Sequence, residues 1–197
     1  PNSYTTHELF NDSIDNCNTP EDVIRTFQES KNFYGTCWCY IVKRDVIVDN
    51  ALYFTPNISF AEDQEFVAKL FCISKSFAFY KETFYCKRTS SGTLTQKLNF
   101  DTSLSCLKTV IRLCKFSQNN NFSCAKKEFL HARIQSPLAQ FIPQLISLNR
   151  NEIFQLSKII EKNRISFKLL ENESRYFDLF FFIKTFSPHV GLLLYKQ

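Results

Sequence analysis

The chain contains no methionine, only 3 glycines, 3 histidines and 1 tryptophan in 197 residues, and no long uninterrupted apolar run. Each scarcity removes a class of function. Without a glycine-rich loop there is no phosphate cradle of the nucleotide-binding kind, and no Gly-x-Ser-x-Gly or His-Glu-x-x-His sequence occurs. With His7, His131 and His189 scattered, the nucleophile and zinc chemistries that depend on clustered histidines have no support. No Asp-x-Asp is present either; Asp12 and Asp15 are one residue too far apart. The chain starts at Pro1 with no methionine, and we expect an upstream segment that is not included here.

What is abundant is phenylalanine, at 22 residues, and cysteine, at 8. A disulfide framework is not expected, because such frameworks belong to small secreted domains without a core and this chain is large enough to bury one. Cys37-Trp38-Cys39 has the wrong spacing for a zinc knuckle and lacks a second Cys/His pair nearby. The four Asn-x-Ser triplets at Asn11, Asn57, Asn121 and Asn172 follow from an Asn- and Ser-rich composition and are not read as glycosylation sites.

The net charge of +5 conceals an asymmetry. Residues 1–98 hold ten Lys/Arg against twelve Asp/Glu, while 99–197 hold fourteen against seven. A basic, Phe-rich second half points to an anionic surface as partner. Nucleic acid is not expected, since the basic residues are dispersed along helices and no recognised binding motif appears.

Local patterning gives a coarse secondary structure. Thr19-Pro20-Glu21-Asp22 is a helix start, with Thr19 as cap, Pro20 in the first position and two acids in the first turn. Cys37 to Val42 is a short apolar run that fits a buried helix or a strand equally. Phe66, Leu70 and Ile73 share one helical face, so Glu62 and Asp63 fall in the first turn of a helix over 62–73. Acids there complement the helix dipole, and the same geometry also suits catalysis. Ser76–Tyr80 and Thr83–Arg88 read as two short strands, and Thr89–Thr93 as a hydroxyl-rich turn. From Phe100 onward the pattern is helical: one helix through Leu104, Leu107, Val110, Ile111 and Cys114, a polar loop at 117–121, a helix over 124–135, an interruption at Pro137 and Pro143, and an amphipathic helix over 151–170. The stretch 176–197 approaches membrane-span length but is broken by Asp178, Lys184, Pro188 and His189. It fits either an interfacial helix on anionic lipid or one docked on the protein body.

The order of features from Trp38 to Thr95 carries a resemblance. Trp38-Cys39-Tyr40-Ile41-Val42-Lys43-Arg44, Leu52-Tyr53-Phe54, Glu62-Asp63-Gln64-Glu65-Phe66, Phe84-Tyr85-Cys86-Lys87-Arg88 and Ser91-Gly92-Thr93 follow one another as in the C-terminal half of the catalytic domain of bacterial family 2 glycosyltransferases, which build capsule and lipopolysaccharide sugars. The match covers about a third of the chain. It implies an α/β fold, α+β in a fragment: a partial GT-A domain with a few strands over 1–98, followed by a helical extension over 99–197. It also implies an inverting transferase that moves a sugar from a nucleotide-sugar donor to a glycan or glycolipid acceptor in surface polysaccharide biosynthesis. In the family the aspartate matching Asp63 is the general base, with Glu62 in support and Trp38, Tyr85, Arg88, Ser91 and Thr93 on the substrate side. A carboxylate within reach of an acceptor hydroxyl makes it a competent nucleophile by taking its proton. The family's Mg²⁺ or Mn²⁺ is held by an Asp-x-Asp upstream, so no metal ligand is expected in this chain and the chain alone is expected to be inactive. The implied setting is cytoplasmic, with peripheral attachment to the inner face of the cell membrane through 176–197 as an option. The alternative is a non-catalytic module whose basic, aromatic helical half binds membrane or protein.

Overall fold

The structure, a computed structural model, describes residues 17–30, 35–80, 82, 85 and 99–163. Among them are six α-helices: α1 Pro20–Ser30, α2 Arg44–Asp49, α3 Glu62–Ile73, α4 Phe100–Asn119, α5 Cys124–Gln144 and α6 Arg150–Lys162. Two 3-10 turns, Cys37–Cys39 and Leu145–Ser147, complete the regular structure.

The helix starts follow from local side-chain chemistry. At α1 the Thr19 hydroxyl accepts from the Asp22 N–H at 3.2 Å while the Asp22 carboxylate accepts from the Thr19 N–H at 3.0 Å. The same reciprocal box opens α4, through Asn99 and Thr102, and α6, through Asn149 and Glu152. Each satisfies two otherwise orphaned donors.

The α/β reading with its partial GT-A domain is corrected: the described residues are helical and contain no strand. Residues 76–80 do alternate, with Phe77 and Phe79 half-buried and Ser76, Ala78 and Tyr80 exposed. Phe77 lies 5.0 Å from the Phe71 ring and Phe79 6.3 Å from Phe27. Among the described residues the segment has no ladder partner that would make it a strand, and it runs as a strap whose apolar side chains are anchored on helices. Of the second expected strand only Tyr85 is described, and the turn at 89–93 lies outside the described residues. A second correction concerns Pro137 and Pro143, which lie inside a continuous α5 rather than interrupting it. Each proline removes a backbone donor, at about 3 kcal/mol in an isolated helix. Burial of Phe129, Leu130, Ile134, Leu138 and Phe141 along the same helix, largely against α4, offsets this.

α3, α4 and α5 form the centre of the molecule, with α1 on α5. One apolar cluster runs from Val23 and Phe27 through Phe66, Val67 and Phe71 to Leu107, Leu113, Phe141, Leu156 and Ile160. Phe71 is its hub, touching Phe27, Tyr40, Phe77 and Phe129 at centroid distances of 5.5, 5.4, 5.0 and 5.6 Å. Gln144, also buried, accepts from the hydroxyls of Thr102 and Ser103 at 2.9 Å each and so ties the end of α5 to the start of α4. The seven described cysteines are all free thiols.

Candidate functional site

The site is built on the first turn of α3 and the Cys37–Cys39 turn packed against it. The chain enters α3 through Ala61, which is buried and adopts a left-handed conformation with φ 63°. A non-glycine residue there costs of order 1 kcal/mol and persists only where its surroundings hold it. Here the Ala61 carbonyl accepts from Glu65 N–H at 3.2 Å and from the Thr109 hydroxyl at 3.5 Å, while Ser59 N–H donates to Ser105 at 3.4 Å. The loop before α3 is thereby pinned to α4, and the positions of Glu62 and Asp63 follow.

Both acids are half-buried. Asp63 Oδ1 accepts from the Gln64 N–H at 3.0 Å, an orientation fixed by the backbone itself. Facing it is the 35–39 segment. A Cβ added at Gly35 would lie 3.2 Å from Gln64 Cγ, so glycine permits this close approach. Burial raises the pKa of the Cys37 thiol, and the negative charges of Asp63 and then Glu62 raise it further. The Cys39 thiol is also raised, first by burial and in part by Asp63, against a lowering contact with the Thr36 hydroxyl at 3.2 Å. Thiols whose pKa values are raised in this way are poor nucleophiles. Between the two cysteines, Trp38 stacks on Tyr85 with ring centroids 4.7 Å apart and planes 19° from parallel. Tyr85 is about half exposed.

Four of the seven expected site residues are described: Glu62 and Asp63 on α3, Trp38 on the turn packed against it, and Tyr85 stacked on Trp38. Arg88, Ser91 and Thr93 lie outside the described residues, as does the 176–197 tail. Among the described residues no group of three or more His, Cys, Asp or Glu side chains is placed to hold a metal ion. The divalent cation of the resemblance belongs to an Asp-x-Asp that this sequence lacks, and no chemical step is derived through one.

The sequence reading missed the role of the third acid in the motif. Glu65 is 3% exposed. Its carboxylate accepts from Lys69 Nζ, from Arg112 Nε at 2.7 Å and from the Thr55 hydroxyl at 3.2 Å. It joins α3, α4 and the 55–61 loop directly behind the site. The spacing of Glu65 and Lys69, four apart on a helix, was the available signal.

Comparison of the chain with protein-family models, with curated proteins and with solved structures found no match. Among the described residues no helix is long and apolar enough to cross a membrane.

Proposed function

We propose that the chain carries the acceptor side of a glycosyl-transfer site, with Asp63 as the general base for an acceptor hydroxyl. The observation that carries the reading is that the Cys37–Cys39 turn, whose Trp38 stacks on Tyr85, packs against the helix that Glu62 and Asp63 open. In this reading the carboxylate and the aromatic pair serve one sugar: ring faces take its apolar C–H surface and a carboxylate takes its hydroxyls. Glu62 adds a second negative charge that favours a hydroxyl donor over an anionic ligand. The donor in this reading is a nucleotide-sugar, and the acceptor a glycan or glycolipid of surface polysaccharide biosynthesis. The support comes from the packing of that turn on α3 and from the motif order, not from a GT-A architecture.

A glycan array tests it with the chain as it stands. The expected result is weak binding to a subset of neutral glycans, lost in Trp38→Ala and kept in Asp63→Asn, with no affinity for nucleotide-sugars alone. Glycan binding that survives Trp38→Ala, or an absence of binding in the wild type, would remove the reading.

A second reading, a non-catalytic interaction module, is favoured by the exposure of Ile41 (85%), Tyr53 (63%) and Phe54 (48%) in the stretch of sequence between Trp38 and Glu62. Exposed large side chains grouped in sequence suit a protein partner. It gains ground if Ile41→Ser changes self-association while the Trp38 variant leaves glycan binding unchanged.

A further inference from the structure

The seam between α3 and α4 holds more positive charge than its own acid neutralises. Contacts across it rise along both segments together: Ser59 N–H meets Ser105, the Thr109 hydroxyl meets the Ala61 carbonyl, Arg112 meets Glu65, and Lys69 lies over the Phe116 ring. The two helices therefore run side by side in the same direction, with Glu65, Lys69, Arg112 and Phe116 along one seam. Lys108 stands one turn before Arg112 and is its neighbour on α4.

Two cations converge on one atom in this seam. Glu65 Oε1 accepts from Lys69 Nζ and, at 2.7 Å, from Arg112 Nε, and the Thr55 hydroxyl donates to the same carboxylate. Because the carboxylate takes Nε, the outer edge of the guanidinium, Nη1 and Nη2, is left over. Among the described residues it has no acceptor, and the Arg112 side chain is 44% exposed. Lys108, half-buried, has no acceptor among the described residues either. Three cations thus meet one carboxylate, a surplus of two positive charges. Glu62 lies one turn before Glu65, and Asp101 two turns before Lys108, so the surplus is local to Arg112 and its neighbours.

We propose that this seam is a binding site for one doubly charged phosphoryl group, inorganic phosphate or a small phosphate monoester, held by the outer edge of Arg112 with Lys69 and Lys108 beside it. A guanidinium fork matches two phosphate oxygens, and Glu65 fixes its orientation before the ligand arrives, which reduces the ordering cost of binding. A monoester carries about −1.5 to −2 charge at neutral pH, close to the local surplus. A carboxylate ligand, with a single charge, leaves part of that surplus unmet. The half-buried Phe116 ring against Lys69 offers apolar surface to an organic group on the phosphate. The inference does not rest on the sugar-transfer reading.

Thermal melts of the whole 197-residue chain at constant ionic strength, with sodium phosphate, phenyl phosphate or dimethyl phosphate replacing chloride, test it. Phosphate and phenyl phosphate are expected to raise the melting temperature with a saturable concentration dependence, and dimethyl phosphate, with one charge, to leave it unchanged. Tighter apparent binding of phenyl phosphate assigns the site to a phosphorylated small molecule, and equal binding assigns it to free phosphate. Arg112→Gln should weaken phosphate at least about tenfold, the loss expected when charge-assisted hydrogen bonds are removed. Arg112→Lys keeps the charge without the fork and should fall short of wild-type affinity. Circular dichroism without ligand reports which variants fold. Lys108→Gln touches none of the Glu65 contacts; it too should weaken phosphate, and it decides the matter if Arg112→Gln does not fold. Absence of a shift in the wild type, an equal shift with dimethyl phosphate, or folded Arg112→Gln or Lys108→Gln variants that bind phosphate as tightly as the wild type would each overturn the proposal.

Discussion

Replacing Glu65 by glutamine keeps the side-chain shape and removes one buried charge, which isolates what that charge contributes. Glu65 holds Lys69, Arg112 and Thr55 at once, and its side chain is 4% exposed against 13% for Lys69 and 44% for Arg112. Breaking a buried pair from one side costs about 3–5 kcal/mol, because the other charge stays buried and uncompensated. That applies to Lys69. Arg112 is exposed enough for solvent to screen it, and its share falls toward the surface value of under about 1 kcal/mol. The variant should therefore be destabilised by about 3 kcal/mol, equivalent to a fall in Tm of roughly 6–12 °C in a chain of this size. Urea unfolding followed by circular dichroism measures it. The pH dependence carries a second sign. Burial lowers the Lys69 pKa below the ordinary lysine value, and Glu65 opposes that lowering. Between the folded and unfolded values the unfolded chain binds more protons, so this group makes stability rise with pH across that window. Without Glu65 the folded value drops further and the rise starts at lower pH. A loss under about 1 kcal/mol with an unchanged pH slope would refute the argument and reduce the cluster to a surface pair.

Two further outcomes are expected. Phe71→Ala removes the ring against which Phe27, Tyr40, Phe77 and Phe129 pack and should cost about 3–5 kcal/mol by denaturant unfolding, with a loss below about 1 kcal/mol contradicting its place at the hub. Asp63→Asn should speed alkylation of Cys37 by iodoacetamide about two- to fivefold at pH 8, because the charge that raises the thiol is gone. Cys124, exposed and raised by Glu128 instead, serves as the internal reference, and an unchanged Cys37/Cys124 ratio would place Asp63 away from the turn.

Local signals were the legible ones. Thr19-Pro20-Glu21-Asp22 marks the start of α1, and the Phe66, Leu70, Ile73 spacing marks α3 with its acids in the first turn, because capping and periodicity are written in adjacent residues. The alternation at 76–80 was also real. What it could not reveal is whether a partner strand lies alongside, which depends on residues distant in sequence; here Phe71 and Phe27 take the apolar side chains instead. Pro137 and Pro143 misled for a related reason: local propensity argues for a break, whereas tertiary burial of α5 decides the outcome. At the site, the order of motifs singled out Glu62 and Asp63, which open α3, and Trp38, which lies on the turn packed against that helix and stacks on Tyr85. The link of Glu65 to Arg112 joins residues 47 apart in the chain and has no local sign.

The central claim is that Asp63 removes a proton from an acceptor hydroxyl, and the most direct measurement is sugar transfer by the full-length protein carrying Asp63→Asn, assayed with a labelled nucleotide-sugar. The substitution keeps a hydrogen-bonding side chain at the start of α3 but removes the base. The account predicts a loss of turnover of about 10²-fold or more, with the melting temperature and glycan binding close to those of the wild type. Turnover within about threefold of the wild type would contradict it and leave the acids at the α3 N-terminus with a purely structural role.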